Sequence, residues 1–256
     1  MFLRTREASL PIAWRLYLPE AWAKDEERRQ AVGVPEEIRF QTKPEIALEQ
    51  IRAAVERKMA TAPVLADSAY GTDTEFREGI TELGLLYMVG IKSCVTVWQP
   101  GQGPLPKRAA RKGRGRPPKL LRGDQSHAPV AVKNLAVALP AAAWKKISWR
   151  EGTRGQLHSR LAAVRVRAAH RDSKRSEPRL GEWLLIEWPT EEKEPTKYWL
   201  STVSAHSPLR KLVRVAKHGW IIERDYQERK QELGLDHYEG RGWRGFHHHA
   251  TLCIAA

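Results

Sequence analysis

Hydrophobic and polar positions alternate in several distinct ways along this chain. Residues 10 to 18 place Ile12, Trp14, Leu16 and Leu18 at period two with Arg15 and Tyr17 between them, the pattern of a strand with one buried face. Pro19 ends it. Glu20 to Arg29 reads as a solvated helix or loop, punctuated by Gly33 and Pro35. After Pro44 the apolar residues Ala47, Leu48, Ile51, Ala54, Val55 and Met59 recur every three to four positions, which predicts an amphipathic helix.

A short apolar run, Pro63 to Ala66, then closes on Asp67 and the turn-like Ser68, Ala69, Tyr70, Gly71. It reads as a buried strand ending at a turn. Asp73 to Leu83 reads as a helix stopped by Gly84, and Leu85 to Ile91 as a further strand. This alternation of strands and helices predicts an α/β sheet with helices packed on it.

Between Gln99 and Pro129 the periodicity gives way to Gly, Pro and basic residues, too polar to bury a core. Short β-like runs follow at Leu161 to Val166, Trp183 to Trp188 and Tyr198 to Val203, within a β-rich insertion. Ser207 and Pro208 have the character of an N-cap and first helical position for Leu209, Leu212, Val213 and Ala216. That helix leads into an acidic segment around Glu223 that stops at Gly234. The organisation expected is a first part of the core over residues 1–98, a basic arm and β-rich insertion over 99–203, and a second part of the core over 204–256. No period repeats along the chain.

Charge changes the picture. The 256 residues carry 44 Lys and Arg against 30 Asp and Glu, a formal charge of +14, which favours a polyanionic partner, nucleic acid first. Eight cations fall between Lys107 and Arg122: Lys107, Arg108, Arg111, Lys112, Arg114, Arg116, Lys119 and Arg122. Arg114, Gly115, Arg116 and Pro117 resemble an AT-hook, in which a glycine between two arginines lets the backbone sink into a narrow minor groove. A basic linker has much the same composition. Two cysteines, Cys94 and Cys253, are too few for a disulfide framework, and no apolar stretch is long enough for a membrane span. The setting expected is reduced and cytoplasmic.

Two carboxylates carry the chemistry. Asp67 at a strand end and Glu223 on a helix can hold a hard divalent cation, because Mg²⁺ accepts oxygen ligands and needs only one or two carboxylates from the protein. Glu223, Tyr226, Gln227 and Lys230 share one helical face, so a lysine can neutralise a phosphate beside a metal-bound acid. His247, His248 and His249 cannot converge on one ion from one helix, since neighbours point about 100° apart. Of the ten tryptophans, Trp14, Trp183 and Trp188 fit strand cores. Trp98 beside the arm and Trp243 beside Arg241 and Arg244 are candidates to stack on unpaired bases, with a place in the core as the stronger alternative for each.

The segments LPIAWRLYLPEAW (10–22), LADSAYG (65–71) and the stretch from Trp220 to Leu252 resemble bacterial insertion-sequence transposases with a DDE-type catalytic domain, in the branch with a Tyr, Arg, Glu, Lys signature. The resemblance implies a ribonuclease-H-like mixed α/β sheet with flanking helices, interrupted by the β-rich insertion. It implies Mg²⁺ (or Mn²⁺) as cofactor, duplex DNA as substrate, and cleavage and strand transfer at mobile-element ends. Asp67 matches the second catalytic aspartate, Glu223 the catalytic glutamate and Lys230 the signature lysine. The signature tyrosine and arginine fall on Ala216 and Gly219, with Lys217 and His218 as partial substitutes. DNA contacts are expected from Lys230, Tyr226, Lys217, Arg114, Arg116, Lys112, Arg108 and Trp98. No strand-ending acid matches the first catalytic aspartate. The expectation is a partial copy, cut at both ends and inactive alone, in the bacterial nucleoid and able to form a homodimer. The alternative is a non-catalytic DNA-binding remnant.

Overall fold

The computed structural model describes residues 1–4, 9–59, 62–107, 119–124, 126–152, 155–219, 226–228 and 230–255. They form two compact units, Thr61–Lys217 and the pairing of Met1–Ala60 with His218–Ala256.

The larger unit is built on a mixed sheet, eight-stranded among the described residues. β3 (Val64–Ala66) pairs in parallel with β4 (Tyr87–Ile91), Leu65 opposite Met88. Antiparallel strands follow from β4 in the order β10 (Lys197–Ser201), β9 (Glu182–Trp188) and β8 (Gly155–Ala168). The far edge of β8 is shared. Its first half pairs with β7 (Lys145–Gly152), and its last residues pair with β5 (Thr96–Trp98), which carries β6 (Val130–Ala131). The strands of the 131–203 stretch therefore extend the same sheet that begins at β3. The stretch also holds a helix, α6 (Val132–Ala138), which buries Val132, Leu135 and Ala136.

All five residues of β4 are buried. That explains why it reads in sequence as an unbroken apolar run rather than an alternation, since a strand covered on both faces has no polar side. On one face α7 (Leu209–Lys217) inserts Leu212 and Val213 into a cluster with Met88, Ile147, Leu161, Leu185 and Val203. α5 (Thr74–Glu82) buries Phe76 and Ile80; Asp73 caps it by accepting from the Phe76 N–H at 2.8 Å. Gly84 follows its end at φ +72°, a left-handed turn that a side chain would strain. This is the mixed sheet with flanking helices expected of the ribonuclease-H-like class.

In the smaller unit, β1 (Phe2–Arg4) and β2 (Ser9–Pro11) form a two-stranded ribbon. α1 (Glu20–Ala23) and α2 (Glu26–Val32) occupy the charged stretch. α3 (Lys43–Glu56) begins at a capping box, Thr42 accepting from the Glu45 N–H while the Glu45 carboxylate accepts from the Thr42 N–H at 2.7 Å. α8 (Trp243–Ala255) buries Ala250 and Cys253.

The strand expected over residues 10 to 18 is shorter than its pattern. β2 ends at Pro11, and Ile12 to Leu18 are irregular. Trp14 of this pattern packs on a helix instead of joining a sheet: its ring meets Phe246 edge-on at 6.2 Å and lies 5.1 Å from His247. Ser207 also departs from its expected role. Its hydroxyl is buried without a described hydrogen-bond partner and caps nothing.

Candidate functional site

Asp67 stands at the one parallel junction of the described sheet. The chain leaves β3, Asp67 takes extended backbone angles (φ −79°, ψ −176°), and α4 (Ser68–Gly71) starts at once. The Asp67 carboxylate accepts from the Ala69 N–H at 2.8 Å, and its carbonyl accepts from Gly71 N–H at 2.8 Å. A short polar side chain suits this position because it satisfies a backbone donor that the helix start leaves open. The carboxylate is exposed. Burial, and then the Asp67 charge, push the Tyr70 hydroxyl above the ordinary tyrosine range.

Two glycines make the junction tight. A Cβ on Gly71 would lie 2.1 Å from the Gly90 carbonyl oxygen and 2.7 Å from the Val89 Cβ, and one on Gly90 would lie 3.1 Å from the Ser68 nitrogen. The α4 turn thus rests directly on β4, against the Gly90 carbonyl and the Val89 side chain.

Beneath the turn lies a buried polar network. Arg77 on α5 is 3% exposed. Its guanidinium donates to the carbonyls of Gly71 and, at 3.3 Å, Asp73, and at 3.2 Å to the Thr74 hydroxyl. Thr74 Oγ1 is in turn 2.9 Å from His170 Nδ1. Tyr87 on β4 donates to Glu182 at 2.6 Å. Burial raises the Glu182 carboxyl above its usual range, against the opposing pull of the Tyr87 hydrogen bond and the Arg77 and Arg179 charges.

The other expected residues divide. Glu223, Arg108, Lys112, Arg114 and Arg116 lie outside the described residues. Tyr226 is 46% exposed, and its ring lies 5.1 Å from the Lys230 ammonium, itself 4.0 Å from Asp236. The Lys230 side chain is 39% exposed. Trp98 is buried: it is 2% exposed and its indole N–H donates to Asp172 at 2.6 Å, so no ring face is offered to a base. The reason is that the chain after Trp98 folds back on it. His127 packs over the ring at 5.1 Å, Leu105 and Arg122 bridge, and Leu121 is buried. A groove of about 490 Å³ opens beside it, lined by Trp98, Pro104, Arg122, His127, Arg171 and Asp172 among others.

Lys217 is likewise corrected. Its ammonium donates to both Glu187 oxygens at 2.6 and 2.7 Å and lies 4.0 Å from the Trp149 ring centre. With that side chain 15% and Glu187's 6% exposed, this is a cation tied into the fold rather than held out for a phosphate. The exposed cations on the same helix are Arg210, Lys211 and Arg214, for which the described residues supply no acidic partner. A helix with four cations and no acid was the signal in the sequence.

The histidine run serves packing. His247 Nδ1 is 2.8 Å from the Trp243 carbonyl and its ring stacks on Trp243 at 4.1 Å, while His249 Nε2 is 2.9 Å from the Gly234 carbonyl. Trp243 therefore spends a ring face on His247.

A divalent ion fits the Asp67 donor chemistry, since an exposed carboxylate oxygen is the hard ligand such ions take. Among the described residues no three His, Cys, Asp or Glu side chains gather to hold one, and no helix is long and apolar enough to cross a membrane.

None of the curated proteins compared with the chain matches it. A family model for DDE superfamily endonucleases matches residues 1–156, a stretch that includes Asp67, both close-packed glycines and Arg77. With the mixed sheet and the strand-end acid, that match assigns the chain to the DDE superfamily endonucleases.

Proposed function

We propose that this chain is a catalytic domain of a bacterial insertion-sequence transposase, acting on duplex DNA at mobile-element ends, with Asp67 and Glu223 as ligands for Mg²⁺ (or Mn²⁺). The observation that carries the reading is the exposed Asp67 carboxylate at the end of β3, anchored by the α4 turn against β4. When bound, the metal supplies activation of the attacking oxygen and stabilisation of the leaving one. Asp67 contributes negative charge at a fixed point: one oxygen is oriented by the Ala69 N–H, and the residue is exposed. Water would attack phosphorus and break the P–O3′ bond, leaving a 5′ phosphate and a 3′ hydroxyl; that hydroxyl would then attack a phosphorus of a second strand, whose own P–O3′ bond breaks and releases a new 3′ hydroxyl. Cations outside the acidic site, Lys230 and the 107–122 arm among them, hold the phosphates.

A second reading, a DNA-binding protein of the same descent that does not cut, is favoured by one sequence observation. Two acids match the family's catalytic set, and a two-metal clamp needs a further acid to bridge both ions. We therefore propose that this copy, by itself, grips DNA without nicking it. The proposal extends to a nucleoid-associated location and a homodimer, and to the division at residues 98 and 203.

A labelled duplex bearing an element end, incubated with the chain and Mg²⁺ or Mn²⁺, separates the readings. Salt-sensitive binding without 3′-hydroxyl formation is expected. Robust nicking that Asp67→Asn abolishes would establish the active enzyme instead, and no duplex binding at 50 mM salt would sink both.

A further inference from the structure

Arg77 is buried at 3% exposure yet spends its guanidinium on main-chain carbonyls. A buried cation is costly unless fully hydrogen-bonded, and the Arg77 charge also acts on the buried Glu182 carboxyl. What the fork of the guanidinium adds is a link between two elements. It joins the Gly71 carbonyl, at the end of α4, to the Asp73 carbonyl and Thr74 hydroxyl, at the start of α5. Asp67 opens that same turn, and the Gly71 N–H returns to the Asp67 carbonyl at 2.8 Å. Movement toward β4 is already closed by the contact of Gly71 with Gly90. The guanidinium adds a hydrogen-bonded tie from the Gly71 carbonyl to the start of α5.

We propose that Arg77 is a positioning residue for Asp67: by holding the Gly71 and Asp73 carbonyls it locks the Ser68–Gly71 turn and so the direction of the Asp67 carboxylate. The assignment rests on the reading of Asp67 as a metal ligand. α5 itself is held by Phe76 and Ile80, both buried, so loosening the link frees the turn and not the helix.

The test uses the full chain with Mn²⁺ alone as probe. Arg77→Met removes one of the two arginine charges, Arg77 and Arg179, that act on the buried Glu182 carboxyl and risks unfolding. Arg77→Lys, which keeps the charge and loses the fork, is therefore the deciding variant. In Arg77→Lys the amides of Ala69 to Thr72 exchange about tenfold faster or more, while those of Leu184 to Ile186 in β9 keep wild-type rates. The Mn²⁺ affinity that disappears in Asp67→Asn falls by about tenfold in Arg77→Lys. Unchanged exchange over Ala69 to Thr72, or a rise shared equally by β9, overturns the positioning role. A wild-type chain with no Asp67-dependent Mn²⁺ binding counts against the metal reading of Asp67, and the exchange rates then decide the positioning role alone.

Discussion

The Tyr87 hydroxyl donates a 2.6 Å hydrogen bond to the Glu182 carboxylate in the interior of the sheet. Glu182 is 4% exposed, and its burial outweighs the hydrogen bond and the nearby arginines, so its pKa lies above the ordinary glutamate value of 4.5. A carboxyl raised in the folded state binds more protons there than in the unfolded chain. Its contribution to stability is therefore greatest below pH 4.5 and declines as pH climbs from that value through the raised folded pKa. Denaturant titrations of wild type and Glu182→Gln across that interval are expected to converge at the acid end, with the variant gaining on wild type toward neutrality. A difference that stays constant with pH would show that folding does not raise the Glu182 pKa.

Gly71→Ala is expected to destabilise the chain by about 1–3 kcal/mol, the usual cost of overpacking a rigid contact. The new Cβ would meet backbone, the Gly90 carbonyl at 2.1 Å, which cannot swing away as a side chain tip can. Gly33→Ala makes a useful contrast: open space surrounds it, and only its φ of +72° opposes the change. Thermal melting of the two variants separates packing from backbone strain, and an unchanged melting temperature for Gly71→Ala would show that α4 does not rest on β4.

Removing Lys217 leaves the Glu187 carboxylate, 6% exposed, without its bidentate partner. Lys217→Met should cost about 3–5 kcal/mol, and the double variant with Glu187→Gln less than the two singles together. A chemical-denaturation cycle measures this. The wild-type affinity for duplex DNA should survive Lys217→Met wherever the chain remains folded, since the ammonium faces Glu187 and Trp149.

Arg210, Lys211 and Arg214 are exposed along α7. Each phosphate contact contributes about 0.9 to the slope of log affinity against log salt on duplex DNA. If α7 faces the duplex, changing all three to Gln flattens that slope by about 2 to 3 in fluorescence anisotropy. An unaltered slope places the interface on other cations, the arm and Lys230 first.

Much of the secondary structure was legible because local chemistry decides it. The three-to-four spacing of α3 and the Gly84 stop after α5 specify their elements with few long-range partners. Asp67 was legible for a similar reason: an apolar run that stops at an acid and a turn leaves that acid at a strand end. What the sequence could not decide was which surface each pattern would meet. Period two from Ile12 to Leu18 is equally good for a strand and for an irregular segment lying on α8, and the partner, Phe246 and His247, is far along the chain. Trp98 beside a basic arm and Lys217 before the acidic helix both look available in one dimension. Folding puts Asp172 and His127 on the first, Glu187 and Trp149 on the second. Arg77, an ordinary cation on an amphipathic helix by its pattern, became the link between α4 and α5 only when the turn after Asp67 came to rest on β4. Periodicity records how a residue relates to its near neighbours; burial, ion pairing and the aim of a carboxylate depend on contacts across 20 to 100 residues of chain, and those exist only in the folded state.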